Sequence, residues 1–227
     1  SIHRLNHRPV YWLRNRWIEG LWVAAEGAIF DMWDPASHVV PWESLPQMQR
    51  LIGVGMDFGT NNPSTGLMLG VSLEKDERRR ARSRLYLVDE WRYNGRREGT
   101  GTVAPSEQAA LFKEWLRTPH LPYETALQPE FFIVDPAALH FQKELNLIGI
   151  PTSGGLNKVG YGISTVASLL AERRLVVADR CEGFITEAPG YSWDPKKAKQ
   201  GIDEPVKVND HSLDGGRYVI ATTEELW

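Results

Sequence analysis

The order of apolar and polar positions becomes regular after residue 50 and predicts three consecutive strands. The first is the apolar run LIGVGMDFG (51–59), which ends in glycine, as is typical of a buried strand. The second is STGLMLGVSLE (64–74), and the third is RLYLVDEWRY (84–93), where apolar and polar side chains alternate. Because the links between these strands are short, we expect an antiparallel meander.

Helical spacing follows the three strands. SEQAALFKEWLR (106–117) has apolar residues at helical intervals, with Ser106 as its predicted N-cap. FFIVDP (131–136) is typical of a short buried strand stopped by Pro136. The remaining predicted elements are a helix, a second helix, a strand and a last helix: 137–149, 160–174, 175–180 and a segment beginning near Asp210. The order βββαβαβα predicts an α/β fold, in which helices flank a mixed central sheet.

The first fifty residues show no clean helical or strand period. They contain five of the nine tryptophans and four prolines. We therefore predict that residues 1–50 form an aromatic-rich arm, which packs on the following domain or on a missing neighbour. Residues 51–227 form the main domain in this interpretation. A chain that starts so abruptly is expected to be a fragment of a larger protein.

The composition narrows the class of protein. Hydrophobic residues at 42% and charged residues at 24% are ordinary globular values. The chain contains neither a run of about 18 apolar residues nor the apolar core of a signal peptide, so neither a membrane span nor secretion is expected. A single cysteine, Cys181, excludes an internal disulfide and fits a reducing cytoplasm as a packed residue.

The net charge of −3 is not that of a typical nucleic-acid-binding protein. A metal-dependent nuclease can nevertheless be mildly acidic, because its carboxylates recruit divalent cations that carry the local positive charge. Basic residues do cluster locally, at 78–84, at 96–97 and at 196–199. Each cluster is compatible with a solvated loop as well as with a phosphate contact.

Two acids stand where apolar strands end. Asp57 follows VGM, and Asp135 follows FFIV. A carboxylate at the end of a buried strand needs a partner or a metal ion, and strand ends are where open sheets present ligand-handling groups. Taken singly, such an acid is more often a turn or helix cap, and Asp135 is placed to cap a helix that opens at Ala137. The pair leaves both interpretations open.

The last predicted helix supplies a third acid. Asp210, Asp214 and Arg217 recur at i, i+4 and i+7 and therefore share one face, while His211 precedes Asp214 by three residues. Asp210 is the favoured N-cap, whereas Asp214 is predicted in mid-helix, where no such role explains it. The following Gly215–Gly216 is costly inside a helix and indicates either close backbone approach or a loose helix. Three converging carboxylates suit a pair of Mg²⁺ or Mn²⁺ ions.

Six stretches, in this order, carry a family resemblance: GVGMDFGTNNPSTG, LYLVDEWRY, FFIVDPAA, VASLLAERRLVV, PGYSWDP and DHSLDGGRY. Together they resemble the C-terminal nuclease domain of large terminase subunits from tailed bacteriophages, over about residues 10 to 225. EGAIFDMW also resembles the stretch that joins the packaging ATPase to this nuclease. The resemblance implies an RNase H-like (retroviral-integrase-like) fold and cleavage of concatemeric viral double-stranded DNA during packaging. The Gly-Gly departs from the family, where Ala-Leu or similar usually follows the last acid.

Carried over to this sequence, the resemblance makes Asp57, Asp135 and Asp214 the catalytic ligands of two divalent cations, Mg²⁺ or Mn²⁺. His211 and Asp210 become accessory residues. The segment 193–207 resembles a family β-hairpin near the cleft. The candidate DNA-contacting residues are four lysines: Lys158, Lys196, Lys197 and Lys207. Glu90, which ends an alternating run, is placed where it could face the cleft.

The implied partners are double-stranded DNA, the ATPase domain of the same polypeptide, the portal protein and the small terminase subunit, with no membrane. The implied location is the cytoplasm of the infected bacterial host, at the procapsid portal vertex. A GxxxxGK[ST] phosphate loop is absent from the sequence, so the ATPase itself lies outside this chain.

Two other functions compete with this interpretation. MDFGTNNPSTG also resembles the first phosphate loop of actin-like and Hsp70-like ATP-binding proteins. Those proteins need a second glycine-rich loop, and DPAALHF supplies no glycine for one. The other alternative is a non-catalytic interaction module that docks through its tryptophan-rich arm, which the presence of all three acids disfavours.

Overall fold

The computed structural model describes residues 27–59, 63–75, 81–94 and 103–227. Residues 1–26 of the arm, residues 60–62 and the basic residues at 78–80 and 96–97 lie outside the described residues. The strands are β1 Val39–Val40, β2 Arg50–Asp57, β3 Ser64–Lys75, β4 Ala81–Tyr93, β5 Pro129–Val134, β6 Ser153–Gly154 and β7 Leu175–Ala178. The α-helices are α1 Pro35–His38, α2 Pro105–Trp115, α3 Leu139–Leu147, α4 Val159–Ala171, α5 Glu182–Glu187, α6 Pro195–Ala198 and α7 His211–Thr222.

The described strands form a seven-stranded sheet in the order β1-β7-β4-β3-β2-β5-β6. β3 is antiparallel to β2 and β4, which confirms the predicted meander. The other neighbouring pairs are parallel, so the predicted mixed α/β sheet is confirmed as well. The two edge strands, β1 and β6, were not predicted, because two residues are too few to show an alternating pattern.

Two apolar layers cover the sheet, one on each face. On one face Ile52 and Leu67 pack with the apolar sides of α4, α5 and α7. On the other face Val54 and Met56 pack with α2 and α3, around the fully buried Phe112 and its neighbours. Burial on both faces explains why β2 is apolar almost to its last residue.

Two predicted helix starts, and the predicted place of Asp214 within the last helix, differ from the structure. The first helix begins at Pro105 with Ala104 at the N-cap, so Ser106 is not the cap. Proline suits the first helical position, because its fixed φ fits the helix and its missing N–H would be unpaired there. The helix predicted from 137 begins two residues later, at Leu139. The last helix begins at His211, so Asp214 lies in its first turn rather than in mid-helix.

The described part of the predicted arm packs on the rest of the protein. Ile29 and Phe30 join the apolar layer on one face, and Leu45 and Met48 join the layer on the other. β1 adds a parallel strand beside β7. These contacts agree with the first of the two expected roles for the arm, although the division at residue 50 stays a prediction.

The end of the sheet where β2 and β5 begin is closed by a long connection, residues 116–128. This connection, together with Trp42 and Leu51, lines an open cavity of about 960 Å³. None of the described helices combines the length and the apolar character needed to cross a membrane.

Candidate functional site

Two of the three predicted acids lie side by side at one end of the sheet. Asp57 is the last residue of β2, and Asp135 directly follows β5. The two strands are parallel neighbours in which Met56 pairs with Val134, and the Asp135 N–H donates to the Met56 carbonyl at 2.9 Å. The Asp135 carboxylate also accepts the Ala137 N–H at 2.9 Å. This hydrogen bond closes a turn, and Asp135 does not cap the helix, which begins only at Leu139. The strand ends therefore converge as predicted.

The first turn of α7 lies against the end of β2 because two glycines touch. A Cβ atom built on Gly55 would stand only 2.0 Å from the Gly215 carbonyl oxygen, and one built on Gly215 would stand 3.0 Å from the Gly55 carbonyl oxygen. The Thr65 hydroxyl also donates to the His211 carbonyl at 2.9 Å. The close backbone approach suggested by the Gly-Gly pair is confirmed. It brings Asp214 towards the two strand-end acids.

The ionisation of Asp57 reflects this convergence. Burial raises the pKa of Asp57, and the negative charges of Asp214 and Asp135 raise it further. A hydrogen bond of 2.8 Å between His211 Nδ1 and Asp57 Oδ2 acts in the opposite direction. The same hydrogen bond raises the pKa of His211, although partial burial of the imidazole opposes it. All three carboxylates therefore share one electrostatic environment, with His211 at its edge.

Asp214 is held by two cations, one on each oxygen. Arg217 donates to Asp214 Oδ1 from Nε and from Nη2, both at 3.0 Å. Lys207 donates to Asp214 Oδ2 at 2.8 Å. The Lys207 ammonium also lies 3.2 Å from Asp210 Oδ2. Burial lowers the pKa of Lys207, but Asp214 and Asp210 outweigh it and leave the pKa above its ordinary value.

Asp210 occupies the N-cap position of α7 without capping the helix through its side chain. The predicted N-cap position is confirmed, but the capping hydrogen bond expected from its side chain is not made. Glu187 caps the helix instead, since its Oε2 accepts the N–H groups of Ser212 at 2.8 Å and Leu213 at 3.2 Å. Its other oxygen accepts from Arg92 at 2.8 Å. Asp210 is left free to face Lys207.

Glu90 belongs to the same buried hydrogen-bond network as Glu187 and Arg92. It does not face the cleft, which its position in the sequence had allowed. Its side chain is 2% exposed. It accepts the Gly183 N–H at 2.8 Å and the Ser212 hydroxyl at 2.5 Å. Burial raises the pKa of Glu90. Through Ser212, Glu90 and Glu187 together fix the start of α7 on its buried side.

The four candidate DNA-contacting lysines occupy different surroundings. Lys207 alone among the four contacts the acids. Lys197 pairs with Glu204 at 2.9 Å, and Lys196 is exposed on α6. Lys158 is exposed at the start of α4, beyond the loop in which the Gly155 N–H donates to the Val134 carbonyl at 2.8 Å. Within the described part of the chain no contact between Lys158 and the acids is seen, and its neighbours Leu156 and Tyr161 bond to Thr222 and Glu224, at and beyond the far end of α7.

The segment predicted as a hairpin or loop forms a short hairpin with α6 at its tip. Trp193 pairs with Pro205 as an antiparallel bridge, and the Asp194 N–H donates to the Glu204 carbonyl at 2.9 Å. The Val206 N–H continues the pairing to Ser192 at 2.9 Å. Lys207 follows directly on the returning strand, which explains how this lysine reaches the acids.

The acids fit a divalent cation in their chemistry, while their present partners hold them apart. Across the described segments, no three acidic, histidine or cysteine side chains already stand grouped as metal ligands. Both oxygens of Asp214 have cationic partners, and Asp57 is bonded to His211. Carboxylate oxygens are nonetheless the ligands that Mg²⁺ and Mn²⁺ prefer, and such an ion would compensate both the burial of Asp57 and the negative charges of Asp214 and Asp135, which together raise its pKa.

Comparison with solved structures finds phage terminases. The large terminase of a thermophilic bacteriophage, crystallised in several forms, matches with a TM-score of 0.81 and 32% identity, over 99% of this chain and 51% of that one. The nuclease domain of the P22 large terminase matches with a TM-score of 0.63 and 18% identity, over 89% of this chain and 94% of that one. The magnesium-bound large terminase nuclease of the thermophilic phage G20c matches with a TM-score of 0.55 and 14% identity, over 86% of this chain and 96% of that one.

No protein-family model matches the chain, and no curated protein matches it. The chain spans about half the length of the first of these large terminases. The P22 and G20c domains share the fold with this chain, which is therefore RNase H-like as the resemblance implied. This chain is about one-third identical to the first large terminase over nearly all of this chain's residues. With the shared fold, this identity shows that the chain belongs to the large terminase family of bacteriophages and corresponds to the nuclease domain.

Proposed function

We propose that this chain is a metal-dependent endonuclease that cleaves concatemeric viral double-stranded DNA during genome packaging. The observation that carries the proposal is the convergence of three acids: Asp57 and Asp135 stand at adjacent strand ends, and the Gly55–Gly215 contact sets the first turn of α7, with Asp214, against β2. Acids brought together at strand ends against their mutual repulsion are typical of a functional site and not of a structural one. The bound magnesium and cobalt in the G20c nuclease structures support a divalent ion in this fold.

In this proposal Asp57, Asp135 and Asp214 hold two divalent cations, Mg²⁺ or Mn²⁺. When bound, such a pair supplies activation of the attacking water and stabilisation of the leaving oxygen. The contribution of the chain is to orient the three carboxylates. His211 fixes Asp57 through the 2.8 Å hydrogen bond, and Arg217 fixes Asp214 from its buried side. Asp210 is an accessory acid beside them.

The DNA is positioned by phosphate contacts that carry no base readout. Lys207 is the best-placed cation, because its ammonium already contacts Asp214, and the exposed Lys158 is a further candidate for a phosphate contact. Lys196 and Lys197 extend the same basic character along α6. A chain with a net charge of −3 then binds DNA through a local group of lysines.

The proposed partners are double-stranded DNA, the ATPase domain of the same polypeptide, the portal protein and the small terminase subunit. The proposed location is the host cytoplasm, at the portal vertex of the procapsid. The similarity to half of a large terminase that was also crystallised with ADP and with ATP-γ-S supports the ATPase partner. Neither an actin-like ATP-binding domain nor a non-catalytic module accounts for three coupled acids.

The test is cleavage of supercoiled plasmid in the presence of Mg²⁺ or Mn²⁺ by the wild-type protein, Asp135→Asn and Glu43→Gln. An asparagine at position 135 can still accept the Ala137 N–H, so the turn survives while one of the three charges is lost. We expect Asp135→Asn to abolish cleavage with thermal stability unchanged or higher, because repulsion on Asp57 is relieved. Glu43 is exposed near the start of β2, and its variant should cut normally. Normal cutting by Asp135→Asn would refute the proposed site.

A further inference from the structure

The Lys207 ammonium occupies the place beside Asp214 that a metal ion would need. Its Nζ lies 2.8 Å from Asp214 Oδ2 and 3.2 Å from Asp210 Oδ2. Asp210 Oδ2 is buried and makes no hydrogen bond, so the ion pair with Lys207 at 3.2 Å is what compensates its negative charge. One ammonium thus contacts two carboxylates, Asp214 and Asp210, and balances one of their two negative charges.

The two cations on Asp214 differ in how firmly they are held. Arg217 is 3% exposed, grips Oδ1 with two hydrogen bonds and is packed against Gly162, where a Cβ would stand 2.7 Å from its Cγ. Lys207 is 59% exposed and reaches Oδ2 from a connecting segment. Arg217 is a permanent part of the site, whereas Lys207 can withdraw into solvent.

The segment that carries Lys207 is anchored on one side of the residue more than on the other. Before it, the Val206 N–H is bonded to the Ser192 carbonyl. After it, Val208 is 66% exposed and Asn209 adopts a φ of 51°, a turn conformation. The Lys207 side chain can therefore change rotamer without moving the hairpin backbone. A substitution that removes its ammonium should leave the hairpin hydrogen bonds intact.

We infer that Lys207 is an exchangeable counter-ion, which holds Asp214 Oδ2 in the metal-free protein and is displaced when a divalent cation binds there. This inference rests on the proposed function. An ammonium and a divalent cation on the same carboxylate oxygen repel each other in a partly buried site, so each weakens the binding of the other. Lys207 therefore lowers the affinity for the first metal ion. Once released, its ammonium stands at the rim of the cleft, where it can pair with a DNA phosphate.

Mn²⁺ binding to the metal-free protein, measured by titration calorimetry without DNA, tests the inference. The variants are Lys207→Met, Lys207→Arg and Lys199→Met, the last as a control on the same hairpin, where Lys199 is exposed. We expect Lys207→Met to bind Mn²⁺ roughly tenfold more tightly, the scale of effect when one charge is removed from a partly screened site. Lys207→Arg and Lys199→Met should bind as the wild type does.

The outcomes separate this inference from the proposed function. If the wild type binds Mn²⁺, Asp57→Asn weakens that binding and Lys207→Met leaves it unchanged or weaker, the exchange is refuted while the nuclease proposal stands. If neither the wild type nor Lys207→Met binds Mn²⁺, both are refuted.

A second measurement covers the case in which Lys207→Met fails to fold. Reductive methylation of wild-type lysines, read by mass spectrometry, should modify Lys207 several-fold faster when Mg²⁺ is present, because the ion releases its amine from Asp214. Lys197, which pairs outside the acidic group, serves as the internal control. Equal rates at Lys207 with and without Mg²⁺ would overturn the exchange.

Discussion

The contact between Gly55 and Gly215 allows a quantitative test of how the last helix is placed. In Gly55→Ala, the new Cβ would lie 2.0 Å from the Gly215 carbonyl oxygen and 2.7 Å from the Val219 amide nitrogen. Ordinary van der Waals contact begins at 3.4 Å, so α7 must move away from β2 by more than an ångström. Both partners are backbone atoms inside a packed layer, and neither can swing aside as a side-chain end can.

Overpacking of this kind costs about 1–3 kcal/mol, and we expect at least the upper end because the whole helix must shift. A loss of about 3 kcal/mol corresponds to a fall of roughly 6–12 °C in Tm for a protein of this size. Gly215→Ala, whose nearest contact is 3.0 Å, should cost less. Gly160 lies in α4 with nothing within 4 Å, so Gly160→Ala should raise stability by up to about 1 kcal/mol.

Urea denaturation of the metal-free proteins measures the series, and plasmid cleavage measures its effect on the site. Because α7 carries Asp214, Gly55→Ala should also cut more slowly under conditions where it remains folded. Gly160→Ala should cut as the wild type does. The reasoning is refuted if Gly55→Ala and Gly160→Ala have the same free energy of unfolding.

Two further predictions concern the groups around α7. Below the unfolded-state pKa of 6.5 the His211–Asp57 pair contributes its full stability, and as pH rises through the raised folded pKa of His211 that contribution is lost. The stability advantage of the metal-free wild type over His211→Asn should therefore shrink above about pH 6.5 in denaturation curves, and a constant difference would contradict the pairing. Glu187→Ala should lower the free energy of unfolding by about 1–2 kcal/mol, since it removes the helix cap, while Arg92 keeps the buried Glu90 carboxylate at 3.6 Å. Glu187→Gln, which keeps an acceptor oxygen, should lose less, and equal losses would argue against the capping role.

The strand-end acids were predictable because local pattern and topology coincide there. An apolar strand that ends in a carboxylate is visible in sequence, and parallel neighbours bring Asp57 and Asp135 to one edge. The Gly215–Gly216 pair likewise signalled close approach, although its partner, Gly55, is 160 residues away and carries no mark of the contact. Sequence pattern reports which residues need a partner more readily than which partner they find.

The start of α7 shows why the remaining details were not predictable. Asp210 has the residue type and position of an N-cap, yet Glu187 caps the helix from a separate element. Glu187 and Arg92 gave no periodic or spacing signal, because they meet only through the fold. Arg217 was visible on the same helix face as Asp214, and its spacing of three residues could have identified the pair. The contact of Lys207 with both acids depends on the hairpin geometry.

The direction of the strands also separates the end of the sheet that carries the acids from the end at which β2 and β5 begin. Every described strand except β3 runs the same way, so the acids gather where β2 and β5 end, while residues 116–128 enter at the opposite edge. Within that connection His120 and Leu121 are buried and hydrogen-bonded or packed on the core, whereas residues 124–126 are exposed. A fluorescent label inserted at 124–126 should therefore leave the acids in place.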